Sequence, residues 1–258
     1  MQTYISPAKV NIFLKITGTR GGYHEILSRF MRVDSLYDTM RLVPKEVADF
    51  VIEGNFTCKT QDNTIYKAYE ALYQHTKSHK LQELMQEYGI HVEKRIPAFA
   101  GLGGGSSNAA TFLHLCNDLA QLKLSTQELS HIGARVGADL PFFIHGHVSA
   151  NVSGIGEIVK AFDEEPIAFD IITPDIEIST PAVYQEYRKN FFNPIDALTC
   201  KQLEKESSRC VLARMSLIEA NDLYQPARAL YPELALHVKE NYFFSGSGSS
   251  FFILRNQN

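Results

Sequence analysis

The chain has 258 residues, 45% hydrophobic and 21% charged, with a formal net charge of −4, the balance of an ordinary soluble globular protein with room for one large domain or two modest ones. That charge offers no basic face to nucleic acid, and no apolar run reaches the length of a membrane span. Residues 1–6 lack the parts of a signal peptide and the four cysteines (Cys58, Cys116, Cys200, Cys210) form no Cys-x-x-Cys pair, so a reduced, cytoplasmic protein is expected.

Residues 3–5 read as a short strand, Ser6-Pro7-Ala8-Lys9-Val10-Asn11 as a turn, and 10–17 as a second strand. In that strand Val10, Ile12, Leu14 and Ile16 share one face and Asn11, Phe13 and Lys15 the other. A lysine and an asparagine at a strand start mark either an edge strand with a solvated face or a site. The glycines of Gly18-Thr19-Arg20-Gly21-Gly22 mark a tight turn, followed at once by Tyr23-His24, an aromatic ring beside a ring donor and acceptor. Strands are predicted over 33–37, 39–43 and 48–53. Asp62-Asn63 then caps a helix whose Ile65, Ala68, Tyr69, Leu72 and Tyr73 form one stripe, and an ordinary cap explains Asp62. The polar run 77–87 reads as a solvated helix end or loop.

Residues 90–96, which include Lys94, alternate like a strand and lead into Pro97-Ala98-Phe99-Ala100-Gly101-Leu102-Gly103-Gly104-Gly105-Ser106-Ser107-Asn108. Glycine backbone can turn its N–H groups inward with no Cβ in the way. Ser106 or Ser107 is placed to cap the next helix, whose Ala109, Ala110, Phe112, Leu113, Cys116 and Leu119 keep helical spacing. A glycine loop feeding a helix N-terminus is an anion site, because orphan N–H groups and the helix dipole point at one spot. No lysine follows the glycines as a Walker A loop requires, and the dinucleotide fingerprint fits poorly, with Ser106 or Asn108 in its last position.

Ser125-Thr126-Gln127-Glu128 is a capping box. Its helix ends at Gly137-Ala138-Asp139-Leu140-Pro141, where an acid among apolar neighbours is a turn-former or a functional group. His145 and His147, with no third ligand at useful spacing, read as structural rather than metal-binding. Residues 147–152 and 156–161 form a strand pair and 168–173 another strand. Thr180-Pro181 starts a helix with Thr180 as cap. Helical stretches follow at 212–219 and 232–240. The end of the chain sets two apolar strands around Ser245-Gly246-Ser247-Gly248-Ser249, either a hairpin turn or a second phosphate loop.

The pattern Pro-x-x-x-Gly-Leu-Gly-x-Gly-Ser-Ser-x-Ala from Pro97 resembles the central motif of the GHMP kinases, the superfamily of galactokinase and of homoserine, mevalonate and phosphomevalonate kinases. Ser-Pro-Ala-Lys-x-Asn-x-x-Leu from Ser6, followed by Gly22-Tyr23-His24, is similar to the opening of the 4-diphosphocytidyl-2-C-methyl-D-erythritol kinases within it. Gly137-Ala138-Asp139-Leu140-Pro141 matches the family's Gly-Ala-Asp-x-Pro, Asn221-Asp222-Leu223 its Asn-Asp-Leu, and the Gly246 loop its third motif. The resemblance covers nearly the whole chain.

It implies an α+β fold of two domains, 1–150 with the ATP-binding part and 151–258 the second, around an active-site cleft. ATP is the implied donor, its phosphates cradled by Pro97, Gly101, Leu102, Gly103, Gly104, Gly105, Ser106 and Ser107 with Asn63 and Lys94, and Mg2+ carried by the nucleotide without a protein metal site. Asp139 is the implied base and Lys9, beside it, offsets charge on the reacting oxygens. Asn11 orients the substrate. Tyr23 and Tyr184 flank a cytosine ring with His24 at its edge, Thr180 belongs to the same substrate-binding segment, and Gly246, Ser247 and Gly248 lie near the phosphates. The implied acceptor is the 2-hydroxyl of 4-diphosphocytidyl-2-C-methyl-D-erythritol, in the non-mevalonate route to isoprenoids. A mevalonate or homoserine kinase is the alternative, disfavoured because an aliphatic acid needs no aromatic clamp. A non-catalytic nucleotide binder is another, disfavoured by the presence of both Lys9 and Asp139. Relatives run on into a further helix and strand, so with the sequence closing at Asn258 one sheet edge is expected bare or covered differently. Valine at Gly103 or Gly104 is expected to abolish ATP binding with little loss of fold.

Overall fold

The structure is a computed structural model that describes residues 2–47 and 49–255. Among these, two compact units interleave along the chain in place of a single boundary at residue 150: residues 2–8, 34–96 and 103–146 make the first, and 9–33, 97–102 and 147–255 the second. The interleaving follows from two long strands, β1 (Tyr4–Arg20) and β2 (Tyr23–Pro44), each of which supplies residues to both units. The predicted turn at Ser6–Asn11 and the break between 37 and 39 do not exist. A strand admits proline where the missing N–H is not needed by a ladder, and β1 has β2 as its sheet neighbour. Nor does β1 keep a solvated face: Lys9, Asn11 and Phe13 are as buried as Val10, Ile12 and Ile16.

In the first unit, the C-terminal half of β2 pairs antiparallel with β4 (Tyr88–Glu93), from Thr39↔Glu93 to Pro44↔Tyr88. The predicted strand at 48–53 shrinks to β3 (Ile52–Glu53), parallel to β4, and Ala48 lies outside the described residues. Helix α1 (Thr64–Thr76) buries Ile65, Ala68 and Leu72 of its predicted stripe. The polar run after it is a helix, α2 (His79–Glu87), capped by Ser78 and anchored by Leu81 and Met85 one turn apart. Three apolar residues in an otherwise polar run, Leu81, Leu84 and Met85, give a short periodic signal, yet they suffice to fix a short helix on a core. Helices α3 (Gly104–Leu119), α4 (Thr126–Ala134) and α5 (Leu140–His145) complete the unit. The capping box of α4 forms as predicted between Ser125 and Glu128. The apolar face of α3 is buried at Ala109, Phe112, Leu113 and Cys116, whereas Leu119, its last residue, is exposed.

In the second unit, the N-terminal half of β2 pairs with β5 (Ser149–Gly154), from Ile26↔Gly154 to Met31↔Ser149, and β5 turns back into β6 (Ile158–Ala161). Arg29, wholly buried on β2, donates to Asn151 Oδ1 at 2.7 Å and to the carbonyls of Leu203, Glu204 and Glu206. Burial lowers its guanidinium to about 10, against the pull of Glu164 at 3.6 Å. A second sheet has the order β7 (Phe169–Ile172), β9 (Phe251–Leu254), β8 (Phe243–Phe244). Its last strand in sequence is therefore central, flanked on both sides. Five short helices connect these strands: α6 (Thr180–Glu186), which continues into a π-helical turn at Tyr187–Phe191, α7 (Ala197–Leu203), α8 (Ser208–Arg214), α9 (Leu217–Ala220) and α10 (Tyr224–Leu230). The helix predicted over 212–219 is thus split, and the one over 232–240 is a 3-10 turn, Pro232–His237. Leu14, Ile16 and Ile26 pack with Val183, Tyr187, Tyr224, Phe244 and Phe251 in this unit's core. Among the described residues no helix is long and apolar enough to cross a membrane.

Candidate active site

In the first unit the site begins at the start of α3. The N-cap is Gly103, in the left-handed conformation at φ 71°, not Ser106 or Ser107. A residue with a Cβ takes that conformation only with strain. The shift moves Gly104, Gly105 and Ser106 into the first turn, where N–H groups have no intrahelical partner and face any bound anion. Gly104 serves packing as well: a Cβ there would meet Ile96 Cγ2 at 2.8 Å and Ile96 Cβ at 3.1 Å. A valine at 104 would therefore disturb the fold, contrary to expectation. Gly105 has more room, its Cβ position lying 3.2 Å from the Thr64 hydroxyl.

The start of α1 meets that of α3, where Thr64 Oγ1 donates to Gly105 O at 2.8 Å. Asn63, rather than Asp62, caps α1, its Oδ1 accepting from Ile65 N at 2.9 Å. Lys94 forms an ion pair with Asp38 and donates to Asn108 Oδ1 at 3.0 Å. Asp38 also accepts from Asn108 Nδ2 and from the N–H groups of Arg95 and Ile96. These bonds fasten the strand side of the glycine loop to α3. Asp38 escapes sequence reasoning because its partners lie far along the chain and it breaks no pattern; Asn108 stands in the glycine motif, but its pairing with Lys94 and Asp38 is not legible there. Ser107 Oγ is buried without a hydrogen-bond partner.

Asp139, half-buried, stands at the N-cap position of α5, but its side chain makes no capping bond to that helix. A Cβ built on Gly137, in the same turn, would lie 3.7 Å from Ser106 Oγ. The Gly-Ala-Asp turn thus lies against the first turn of α3.

In the second unit, β1 runs beside the front half of the glycine loop, with Lys9 N donating to Leu102 O at 3.0 Å. Lys9 Nζ donates to Asn11 Oδ1 at 2.7 Å and lies 4.5 Å from the centroid of the Phe30 ring. The two glycine loops pack backbone on backbone. Ser245 Oγ donates to Gly101 O at 2.9 Å, and Ser250 N to Ala100 O at 3.1 Å. A Cβ on Gly101 would fall 2.1 Å from Ser245 O, and one on Gly246 would fall 3.2 Å from Gly101 Cα. Asn221 pins the second loop by donating to the carbonyls of Phe244 and Gly246, each at 2.9 Å. Asp222 pairs with Lys15 and accepts from Ile16 N. Thr180 is not the cap of α6; Ser179 is. That leaves the Thr180 hydroxyl to meet Ser247 Oγ at 2.6 Å.

An aromatic cluster forms on the same unit. His24 stacks on Tyr184 with ring centroids 5.2 Å apart, Tyr187 meets it edge-on at 5.6 Å, and Phe192 approaches at 6.4 Å. Tyr187 and Phe192 are new to the site; the π-helical turn that places them has no sequence signature. His24 is buried and its Nε2 has no hydrogen-bond partner. Burial and the nearby charge of Arg188 hold its imidazole below the ordinary range. Tyr23 is 66% exposed, so the structure brings His24 and Tyr184 together and leaves the Tyr23 ring accessible. Among the described residues no group of three or more His, Cys, Asp or Glu side chains is placed to hold a metal ion.

Residues 63–147 match the family model for the GHMP kinases N terminal domain. The chain is 57% identical over 256 residues to a 4-diphosphocytidyl-2-C-methyl-D-erythritol kinase of Sulfurimonas denitrificans, covering 98% of this chain and 96% of the relative. It is 47% identical to the same-named protein of a Sulfurovum species (95% and 96% covered), and 38% identical to that of Helicobacter pylori (96% and 92% covered). A solved 4-(cytidine 5'-diphospho)-2C-methyl-D-erythritol kinase superposes with a TM-score of 0.72 at 30% identity, covering 98% of this chain and 90% of that one. The Methanococcus jannaschii mevalonate kinase shares the fold at a TM-score of 0.59 and 12% identity, covering 99% and 90%. With glycine loops, Gly-Ala-Asp turn and aromatic cluster all in place, the chain belongs to the 4-diphosphocytidyl-2-C-methyl-D-erythritol kinase family of the GHMP kinases.

Proposed function

We propose that the chain transfers a phosphoryl group from ATP to the 2-hydroxyl of 4-diphosphocytidyl-2-C-methyl-D-erythritol. One observation carries the reading beyond family membership: a single compact unit holds Lys9, Asn11, the front half of the first glycine loop (Pro97–Leu102), the Gly246 loop packed on it and the His24–Tyr184 cluster. Phosphoryl transfer asks a protein mainly for positioning and charge stabilisation. The N–H groups of Gly104, Gly105 and Ser106 take the ATP phosphates, with Pro97, Gly101, Leu102 and Ser107 shaping the loop and Gly246, Ser247 and Gly248 bracing it. Lys94 acts on the nucleotide through the α3 start that it holds with Asp38 and Asn108, and Asn63 through the start of α1. Asp139 accepts the proton of the attacking hydroxyl. Lys9 offsets charge growing on the transferred group, and Asn11 orients the acceptor. Tyr23 closes over one face of the cytosine and the Tyr184–His24 side receives the rest, with Thr180 beside it. Mg2+ travels with ATP as part of the substrate. The enzyme works in the cytoplasm on small molecules, without nucleic acid or membrane.

A coupled kinase assay with purified protein tests this, offering the cytidyl acceptor, mevalonate and homoserine in turn. ADP release should need the cytidyl acceptor. Preferred turnover of mevalonate or homoserine would move the chain to another GHMP branch. ATP binding with no turnover of any acceptor would make it a non-catalytic nucleotide binder.

A further inference from the structure

We infer that Ser28 is a positioning residue for the transfer, fixing through Asn11 the seat of the Lys9 ammonium. The inference rests on the role proposed above for Lys9. Lys9 and Asn11 are two apart on β1 and so share a face; Ser28 and Phe30 do the same on β2. All four are buried. Lys9 Nζ lies over the Phe30 ring and donates to Asn11 Oδ1 at 2.7 Å, and Asn11 Nδ2 donates to Ser28 Oγ at 2.9 Å. Ser28 Oγ in turn donates to the backbone oxygen of Phe13.

The directions of these bonds are forced. A carbonyl oxygen can only accept, so the single hydroxyl proton of Ser28 goes to Phe13 O. Ser28 then offers Asn11 nothing but lone pairs, and the Asn11 amide must turn its NH2 group toward Ser28. Its carbonyl oxygen is thereby aimed at the Lys9 ammonium, which can only donate. An amide turned the other way would set NH2 against ammonium and oxygen against lone pairs among buried side chains, where unsatisfied polar groups are costly. The orientation that a side-chain amide leaves open on shape alone is thus decided by a residue one strand away. In the sequence Ser28 is only a small polar residue between Leu27 and Arg29.

The test compares Ser28→Ala, Ser28→Cys and Ser28→Thr with Lys9→Met, measuring kcat, KM for ATP and for the cytidyl acceptor, and melting temperature. Ser28→Ala should lower kcat about 10- to 100-fold, the scale of an ångström-level misplacement of a working group, with KM for ATP unchanged. Ser28→Cys fills the same space with a poor hydrogen-bonding group and should show the same loss if the alanine variant fails to fold. Ser28→Thr keeps the hydroxyl and should restore most of kcat. Wild-type kcat in both Ser28→Ala and Ser28→Cys, beside a large loss in Lys9→Met, overturns the inference and leaves the role of Lys9 standing. So does an equal loss in all three Ser28 variants, or a loss confined to melting temperature. Wild-type kcat in Lys9→Met removes the role of Lys9, and the inference with it.

Discussion

The glycine loops and the aromatic cluster around His24 recruit their working groups in opposite ways. At Gly101, Gly103 and Gly246 the side chain is missing because backbone must come close to backbone or adopt a left-handed turn, and what remains to face a ligand is peptide N–H. Around His24 the backbone recedes, and rings from residues 24, 184, 187 and 192 supply the surface. A loop of the first kind tolerates almost no substitution, since any Cβ alters the geometry of several peptide groups together. A surface of the second kind degrades gradually, ring by ring. Damage to the loops should therefore appear in ATP binding and in the fold at once, and damage to the cluster in acceptor binding alone.

The largest effect should come from a residue belonging to neither region. Asp139→Asn keeps size and shape but cannot take a proton, and should lower kcat by about 10²–10⁴ with both KM values nearly unchanged. Steady-state kinetics decide it. Turnover at the wild-type rate would give the base to another residue, and a variant that only unfolds would make Asp139 structural.

Next come paired glycine substitutions that should diverge. Gly101→Ala puts a methyl 2.1 Å from Ser245 O at a φ of +73°, where the left-handed conformation alone costs about 1–2 kcal/mol. It should lower the melting temperature and weaken ATP together. Gly105→Ala sits in the first turn of α3, where alanine gains about 1 kcal/mol of helix propensity over glycine, offset in part by crowding of Thr64. It should leave the melting temperature level or higher while raising KM for ATP. Unchanged ATP affinity in a folded Gly105→Ala protein would show that phosphate does not approach this turn.

The same contrast explains what the sequence discloses. The loop at Gly101–Gly105, the cap at Asn63 and the Ser125–Glu128 box are local, so adjacent residues carry the whole signal. Asp38, Ser28, Tyr187 and Phe192 owe their places to partners elsewhere in the chain, and nothing in their neighbourhoods marks them. Where local and tertiary signals compete, the tertiary ones win. Pro7 sits inside a continuous β1, and the cap of α3 moves back to Gly103 despite two serines better suited by propensity. At α6 the neighbouring Ser179 takes the cap, and Thr180 turns to Ser247 instead. The family resemblance names most of the residues proposed for the site, since its motifs record long-range geometry that a single sequence does not otherwise reveal.

A smaller effect is expected at the exposed ring of the base region. Base–aromatic stacking is worth roughly 1–3 kcal/mol per base, so Tyr23→Ala should weaken the acceptor by about tenfold or more and leave ATP nearly alone. Separate titrations of the two ligands measure this. Equal losses for both, or a lower melting temperature with neither affinity changed, would place the cytidine elsewhere.

The smallest effect, and the most specific to the cluster, is a dependence on pH. Burial first, and the positive charge of Arg188 second, hold the His24 imidazole below its ordinary value of 6.5. The folded state therefore favours the neutral ring more than the unfolded chain does. Its contribution to stability is fully present above 6.5 and is lost as pH falls through the lower folded value. Over the same window a proton on Nε2 would turn a buried group able to meet a base edge into a cation beside Arg188 and the Tyr184 ring. KM for the acceptor should rise on acidification below the ordinary imidazole range, while KM for ATP, whose proposed contacts are backbone N–H groups that do not titrate there, should stay flat. His24→Gln keeps a polar group that does not titrate there and should flatten the acceptor profile. If wild type and His24→Gln lose acceptor affinity along the same acid limb, the titrating group lies outside the cluster and His24 serves only as packing for Tyr184.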